Sequence, residues 1–173
     1  LMGVDPMRVA TRTISALADG ATTRELDELS IRKAAGLIVE EPRYSRLAGR
    51  LLSTYIDKEV RNQNIPWFTE SVIRGHELGV IGDNALAFVL DNASTLNAAI
   101  NSGRDKNFEF FGLRTVYDRY LLRHPETRDV IETPQYFFLR VACGLSQDVD
   151  EAVAFYDLMS SLAYLPSSPT LFN

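Results

Sequence analysis

Two groups of residues in this chain have the types and spacing for recognition of an anion or a hydroxyl. The first is Thr22-Thr23-Arg24-Glu25-Leu26-Asp27 with Lys58. Thr22 and Glu25 stand at capping-box spacing, so Thr22 can cap the amide of Glu25 while Glu25 reaches back. A helix opening there presents backbone N–H groups that suit an anion. Thr23 and Asp27 are one helical turn apart and share a face. Lys58 closes the next apolar stretch, where it can come near and meet a phosphate; equally, a capping box needs no ligand. The second group is Ser167, Ser168 and Thr170 in Pro166-Ser167-Ser168-Pro169-Thr170. Two prolines bracketing serines stop a helix and turn hydroxyls outward. That turn reads either as one edge of a recognition site whose opposite wall lies elsewhere, or as a plain connection.

Other chemistry-bearing residues have simpler readings. His76 and His124 lack a second Cys or His at metal spacing, so no metal site is expected. Cys143 sits among Val141, Ala142 and Leu145 and reads as a structural thiol, with neither a helix N-terminus nor a neighbouring cation to activate it. Glu40-Glu41 and the Asp148, Asp150, Glu151 group could be paired carboxylates. Acidic residues at helix starts are also what the macrodipole and capping favour.

These side chains need a scaffold, and the pattern for one is mostly helical. Asp5-Pro6 is an N-cap followed by proline at the first helical position. Leu26, Leu29, Ala34, Leu37 and Ile38 are spaced for one helix face, broken at Glu41-Pro42. A third helix from about Tyr44 carries Leu47, Leu51, Leu52, Tyr55, Ile56 and Val60. The polar run Asn62-Gln63-Asn64 marks a boundary, giving segments 1–62 and 63–173. Beyond it the pattern predicts a helix closed by Gly79, one from Gly82 through Ile100, and a loop over 101–107. Phe108–Phe111 is too short to assign. Residues 115–122 begin helical and end extended. A hairpin is expected from 120–122 and 129–132 around the turn-rich His124-Pro125-Glu126-Thr127. Thr133-Pro134 caps a further helix, and Ser146 or Asp148 caps the last, which carries Ala152, Val153, Phe155, Tyr156 and Met159. The expected fold class is mainly α: a helical bundle with one small β-hairpin.

Composition removes several function classes. With 173 residues and 46% apolar content the chain can bury a core. A net charge of −5 argues against tracking nucleic-acid phosphates. The single cysteine excludes an internal disulfide framework and fits a reducing, cytoplasmic setting. No apolar run reaches the ~18–20 residues that span a bilayer, and Leu1–Pro6 lacks the features of a signal peptide. Leu1 preceding Met2 reads as a trimmed end.

Beyond these physical readings, two stretches carry a resemblance. Tyr120-Leu121-Leu122, Glu132-Thr133-Pro134-Gln135, Leu139-Arg140-Val141-Ala142-Cys143-Gly144-Leu145 and Ser167-Ser168-Pro169-Thr170-Leu171-Phe172-Asn173 occur in that order. The order resembles the helical N-terminal lobe of the class I ribonucleotide reductase large-subunit family. Gly20-Ala21-Thr22-Thr23-Arg24-Glu25-Leu26-Asp27, Glu41-Pro42-Arg43-Tyr44 and Leu47-Ala48-Gly49-Arg50 are similar to the second half of the ATP-cone, the regulatory module preceding that lobe. The resemblance implies ribonucleotide reduction by thiyl-radical chemistry in a ten-stranded α/β barrel absent from this sequence. It implies Ser168 at the substrate, and Thr23, Asp27 and Lys58 at an allosteric nucleotide, ATP or dATP. It also implies a radical-generating small subunit holding the metal or radical cofactor, and a large-subunit homodimer. The family's redox and radical cysteines lie beyond Asn173, so no catalytic residue is expected in this chain; nor are the cone's opening strands present, which leaves a half-cone. A reading from another class is a non-catalytic nucleotide-sensing or interaction module that docks on a separate barrel chain. The family's zinc-ribbon repressor relatives fit poorly with one cysteine. On either reading, the Phe155–Phe172 region is expected to be sticky.

Overall fold

The computed structural model describes residues 3–172. Leu1, Met2 and Asn173, and with them the reading of a trimmed start and the last residue of the closing motif, lie outside the described residues. Three capped or proline-delimited helices open the chain: α1 (Pro6–Ile14), α2 (Thr23–Gly36) and α3 (Tyr44–Arg61). Asp5 is extended, and its Oδ1 accepts from the Met7 amide at 2.9 Å, with Pro6 at the first helical position. At α2 both halves of the expected capping box are made. Residues 37–43 form the turn predicted around Glu41-Pro42.

The remaining α-helices among the described residues are α4 (Phe68–Glu77), α5 (Asp83–Asp91), α6 (Ala93–Ala99), α7 (Phe110–Arg119), α8 (Pro134–Leu145), α9 (Val149–Ser160) and α10 (Ser168–Phe172). Gly79 follows α4 at φ +74°, a conformation that costs other residues but not glycine. The single helix expected from 82 to 100 is two. Asn92 leaves helical geometry at φ −118°, ψ 21°, and its amide donates to the Phe88 carbonyl at 2.9 Å. A side-chain bond to the carbonyl four residues back is the kind that competes with helix continuation. The expected loop over 101–107 is a 3₁₀ turn, Ser102–Asn107.

The expected hairpin shrinks to one antiparallel bridge, Arg123 with Val130, and no strand occurs among the described residues. Ile131 N–H donates to the Leu122 carbonyl at 2.9 Å and His124 N–H to the Asp129 carbonyl at 2.8 Å. Pairing stops there because side chains take the amide and the carbonyl of the next bond in the ladder. Leu122 N–H donates to Glu132 Oε1 at 2.8 Å, and the Ile131 carbonyl accepts from the Ser71 hydroxyl at 2.7 Å. Val130 N–H, on the outer side, donates to Glu59 Oε1 at 3.3 Å.

One apolar cluster runs from Val9 to Leu171. Helix α3 packs against both α2 and α7. The start of α7 sits so close to α3 that a Cβ on Gly49 would be 3.2 Å from the Phe108 carbonyl oxygen. Packing is continuous across position 62: Ile65 is buried, and the Gln63 side chain donates to the Val130 carbonyl at 2.8 Å.

Candidate functional site

Helices α2 and α3 leave an open cavity of about 270 Å³ between them. Thr23, Arg24 and Asp27 line it from the first turns of α2, and Tyr55, Lys58, Glu59 and Asn62 from the last turns of α3. Antiparallel packing of two neighbouring helices thus brings Thr23, Asp27 and Lys58 together, as their types suggested. Lys58 Nζ lies 2.8 Å from Asp27 Oδ2 across a separation of 31 residues. The volume is slightly below the ~300–1,000 Å³ common for small-molecule sites.

The α2 N-terminus itself is less available than the sequence suggests. The Glu25 carboxylate accepts from Thr22 N at 2.7 Å and from the Thr22 hydroxyl at 2.9 Å, so an acidic group already occupies the helix start. These hydrogen bonds hold the Glu25 carboxyl below its usual range. The cations of the site are Lys58 and a residue that sequence reasoning missed, Arg24. Its guanidinium is 3.1 Å from Asp129 Oδ1, 3.6 Å from Glu59 Oε1 and 3.5 Å from Glu28 Oε1, and lies over the Tyr55 ring. The bond to Asp129 raises the Arg24 pKa further above its ordinary value. Glu59 is buried and also accepts from the Tyr117 hydroxyl at 3.1 Å. Burial pushes its carboxyl up.

Ser168 lies at the start of α10 and is exposed. The structure does not bring it to the α2/α3 cavity. Its hydroxyl is 2.7 Å from the Tyr120 hydroxyl, and the Tyr120 ring stacks between Phe137 and Phe172 at centroid distances of 6.0 and 5.0 Å. Leu171 is buried and anchors α10. Around this end, Leu158, Leu162, Tyr164, Leu165 and Phe172 are exposed.

Two polar networks are buried in the interior. Arg140 forms a bidentate pair with Glu132, both bonds at 2.9 Å, and Glu132 is 1% exposed. In the second, Gln135 donates to Asp105 Oδ1 at 2.6 Å and accepts from the Tyr156 hydroxyl at 2.8 Å; Tyr156 in turn accepts from Asn101 N–H at 2.9 Å. Burial pushes the Asp105 carboxyl up to about 6 against the hydrogen bonds from Gln135 and Ser53, and the charge of Asp57 adds to the rise. The sequence signal for these networks was present: Glu132 and Gln135 flank a capped helix start inside an apolar run.

The other candidates take structural roles. His76 Nε2 is 2.7 Å from Asp83 Oδ1, and His124 Nδ1 accepts from the amides of Glu126 and Thr127. Among the described residues no group of three His, Cys, Asp or Glu could hold a metal. Cys143 is half-buried, and burial pushes its thiol up to about 12, away from thiolate chemistry. Glu40 pairs with Arg8 and Arg12, and Glu41 with Arg43. Asp148 caps α9 by accepting from Glu151 N–H at 2.9 Å. No helix of the described residues is long and apolar enough to cross a membrane.

Residues 106–173 match the family described as ribonucleotide reductase, all-alpha domain. Over 98% of its length the chain is 34% identical to the ribonucleoside-diphosphate reductase large subunit of Caenorhabditis elegans and spans 22% of it. The corresponding large subunits of Plasmodium falciparum (isolate Dd2) and Arabidopsis thaliana are 34% and 32% identical over the same share of this chain, which spans 22% and 21% of them. The chain therefore covers about a fifth of these curated relatives.

Proposed function

Because the chain belongs to the ribonucleotide reductase large-subunit family and corresponds to its N-terminal region, we propose that it supplies the helical lobe and part of the effector module of a ribonucleoside-diphosphate reductase. In this reading residues 63–173 are the lobe and residues 1–62 the back of an ATP-cone. Reduction of ribonucleotides to deoxyribonucleotides is carried out by radical and redox cysteines on a barrel outside this sequence. The lobe frames the substrate mouth, and the Ser168 hydroxyl, oriented by Tyr120, hydrogen-bonds the bound nucleotide. The exposed apolar side chains from Leu158 to Phe172 dock on the barrel. The radical-generating small subunit with its metal or radical cofactor, a second large subunit, and a cytoplasmic setting follow from the same family reading.

The effector half rests on one observation: Thr23, Asp27 and Lys58, distant in sequence, line a single cavity. Asp27 offers a carboxylate to ribose hydroxyls, Thr23 a hydroxyl, and Lys58 a cation to phosphates. Calorimetric titration with ATP and dATP tests it. Binding is expected in the wild type and lost in the combined Thr23→Ala, Asp27→Ala, Lys58→Ala variant; binding that survives the triple change removes these residues from the site. The lone thiol is half-buried and poorly ionised, so the 173-residue chain with a small subunit added is expected to show no reductase turnover. Turnover would contradict the assignment of the chemistry to cysteines elsewhere. Sedimentation at rising concentration is expected to show self-association through the α9–α10 end; a clean monomer at high concentration counts against the docking face.

A further inference from the structure

Among the charged residues of the α2/α3 cavity, Arg24 is the one whose attachment to the lobe is both direct and easily exchanged. Lys58 and Asp27 pair with each other inside the α2/α3 unit. Glu59 reaches the lobe as well, but its side chain is 7% exposed and held by Tyr117 and the Val130 amide. Arg24 is 57% exposed and meets Asp129, 105 residues away in sequence, at 3.1 Å. Asp129 ends the turn that begins at His124, and the two residues are joined by a backbone bond of 2.8 Å. Exposed ion pairs of this kind are worth about 0–1 kcal/mol and are readily traded.

A guanidinium fork binds phosphate oxygens in the same bidentate manner as carboxylate, and a polyphosphate carries more charge than Asp129. A phosphate chain brought in by Lys58 competes for Arg24 with Asp129, Glu59 and Glu28. We propose that Arg24 is a further phosphate-binding residue of this cavity and also its latch to the lobe: a nucleotide's phosphates draw the guanidinium off Asp129 and release the 124–129 turn. This rests on the nucleotide reading of the cavity and names how its occupancy reaches the lobe. The neighbourhood amplifies the exchange. Glu59 and Asp129 both face Arg24 and lie against each other, and the cation favours their charged forms. Its withdrawal removes that support where Val130 N–H meets Glu59.

The test combines calorimetry with amide exchange, using ATP and inorganic tripolyphosphate on the chain and on Arg24→Gln and Asp129→Asn. Arg24→Gln is expected to weaken both ligands about tenfold, as loss of a charge-assisted phosphate contact does. Asp129→Asn removes the competitor and is expected to tighten both about threefold, within the small range of an exposed pair. ATP is expected to speed exchange at the Arg128 and Val130 amides in the wild type and to leave it unchanged in Arg24→Gln. Equal ATP affinity in all three proteins, or no exchange response in the wild type, overturns the latch and leaves the nucleotide reading standing. Failure of the wild type to bind ATP overturns both. Should Arg24→Gln fold poorly in a thermal melt, Asp129→Asn affinity and wild-type exchange still decide.

Discussion

The α2/α3 cavity and the interior of the lobe both depend on charged side chains, but hold them in opposite ways. At the cavity, Lys58 with Asp27 and Arg24 with Asp129 are largely exposed pairs. In the lobe, Glu132 with Arg140 and the Asp105–Gln135–Tyr156 network are buried, and no buried side-chain nitrogen or oxygen among the described residues lacks a partner. Exposed pairs contribute little to stability and can be traded for a ligand's charges. Buried, fully bonded ones cannot be opened without leaving a charge in the interior. The chain therefore separates an exchangeable surface from a fixed frame, with α3 belonging to both.

The largest effect that could break this contrast lies in the frame. Glu132→Ala leaves Arg140 uncompensated and is expected to cost about 3–5 kcal/mol in urea unfolding. Glu132→Leu with Arg140→Met, which removes both charges, is expected to recover most of that loss. A cost under about 1 kcal/mol for the single change would make the pair equivalent to a surface one. Next is Gln135→Ala, which strips a partner from both Asp105 and Tyr156; about 1–3 kcal/mol is expected.

The pH response follows from Asp105. Its folded-state value, about 6, lies above its unfolded value near 3.8, so the folded state holds the proton more tightly. The resulting stability is fully present below the unfolded value and is lost as pH rises through about 6. Asp105→Asn keeps an acceptor for Gln135 and is expected to flatten the change in urea midpoint across this window. An unchanged slope would remove Asp105 as its source. The smallest effect sharpens the other side of the contrast: Lys58→Ala is expected to change stability by no more than about 1 kcal/mol while weakening ATP binding.

What could be read from the sequence was local or nearly so. Asp5-Pro6, the Thr22/Glu25 box, Thr133-Pro134 and Asp148 are caps whose chemistry acts within three residues, and all are made. Thr23, Asp27 and Lys58 were legible as one group because α2 and α3 are sequential neighbours and helical spacing fixes their faces. The hairpin was over-read. Val130 and Ile131 have strand chemistry, but Glu132 and Ser71 take the Leu122 amide and the Ile131 carbonyl that a longer ladder needs. Arg24 with Asp129 was not legible, since neither residue's surroundings point to a partner 105 positions away. The break at Asn92 was missed for a subtler reason: one side-chain amide on the Phe88 carbonyl outweighs an otherwise helical pattern.

The most direct test of the account maps where ATP acts, by following backbone amide shifts in ¹H–¹⁵N spectra of the chain during a titration. The account predicts saturable shifts in residues 22–28, 55–62 and 124–130, with the amides around Glu132, Arg140, Gln135 and Tyr156 unmoved. Saturation without shifts in α2 and α3, or shifts centred on the buried networks of the lobe, would contradict it.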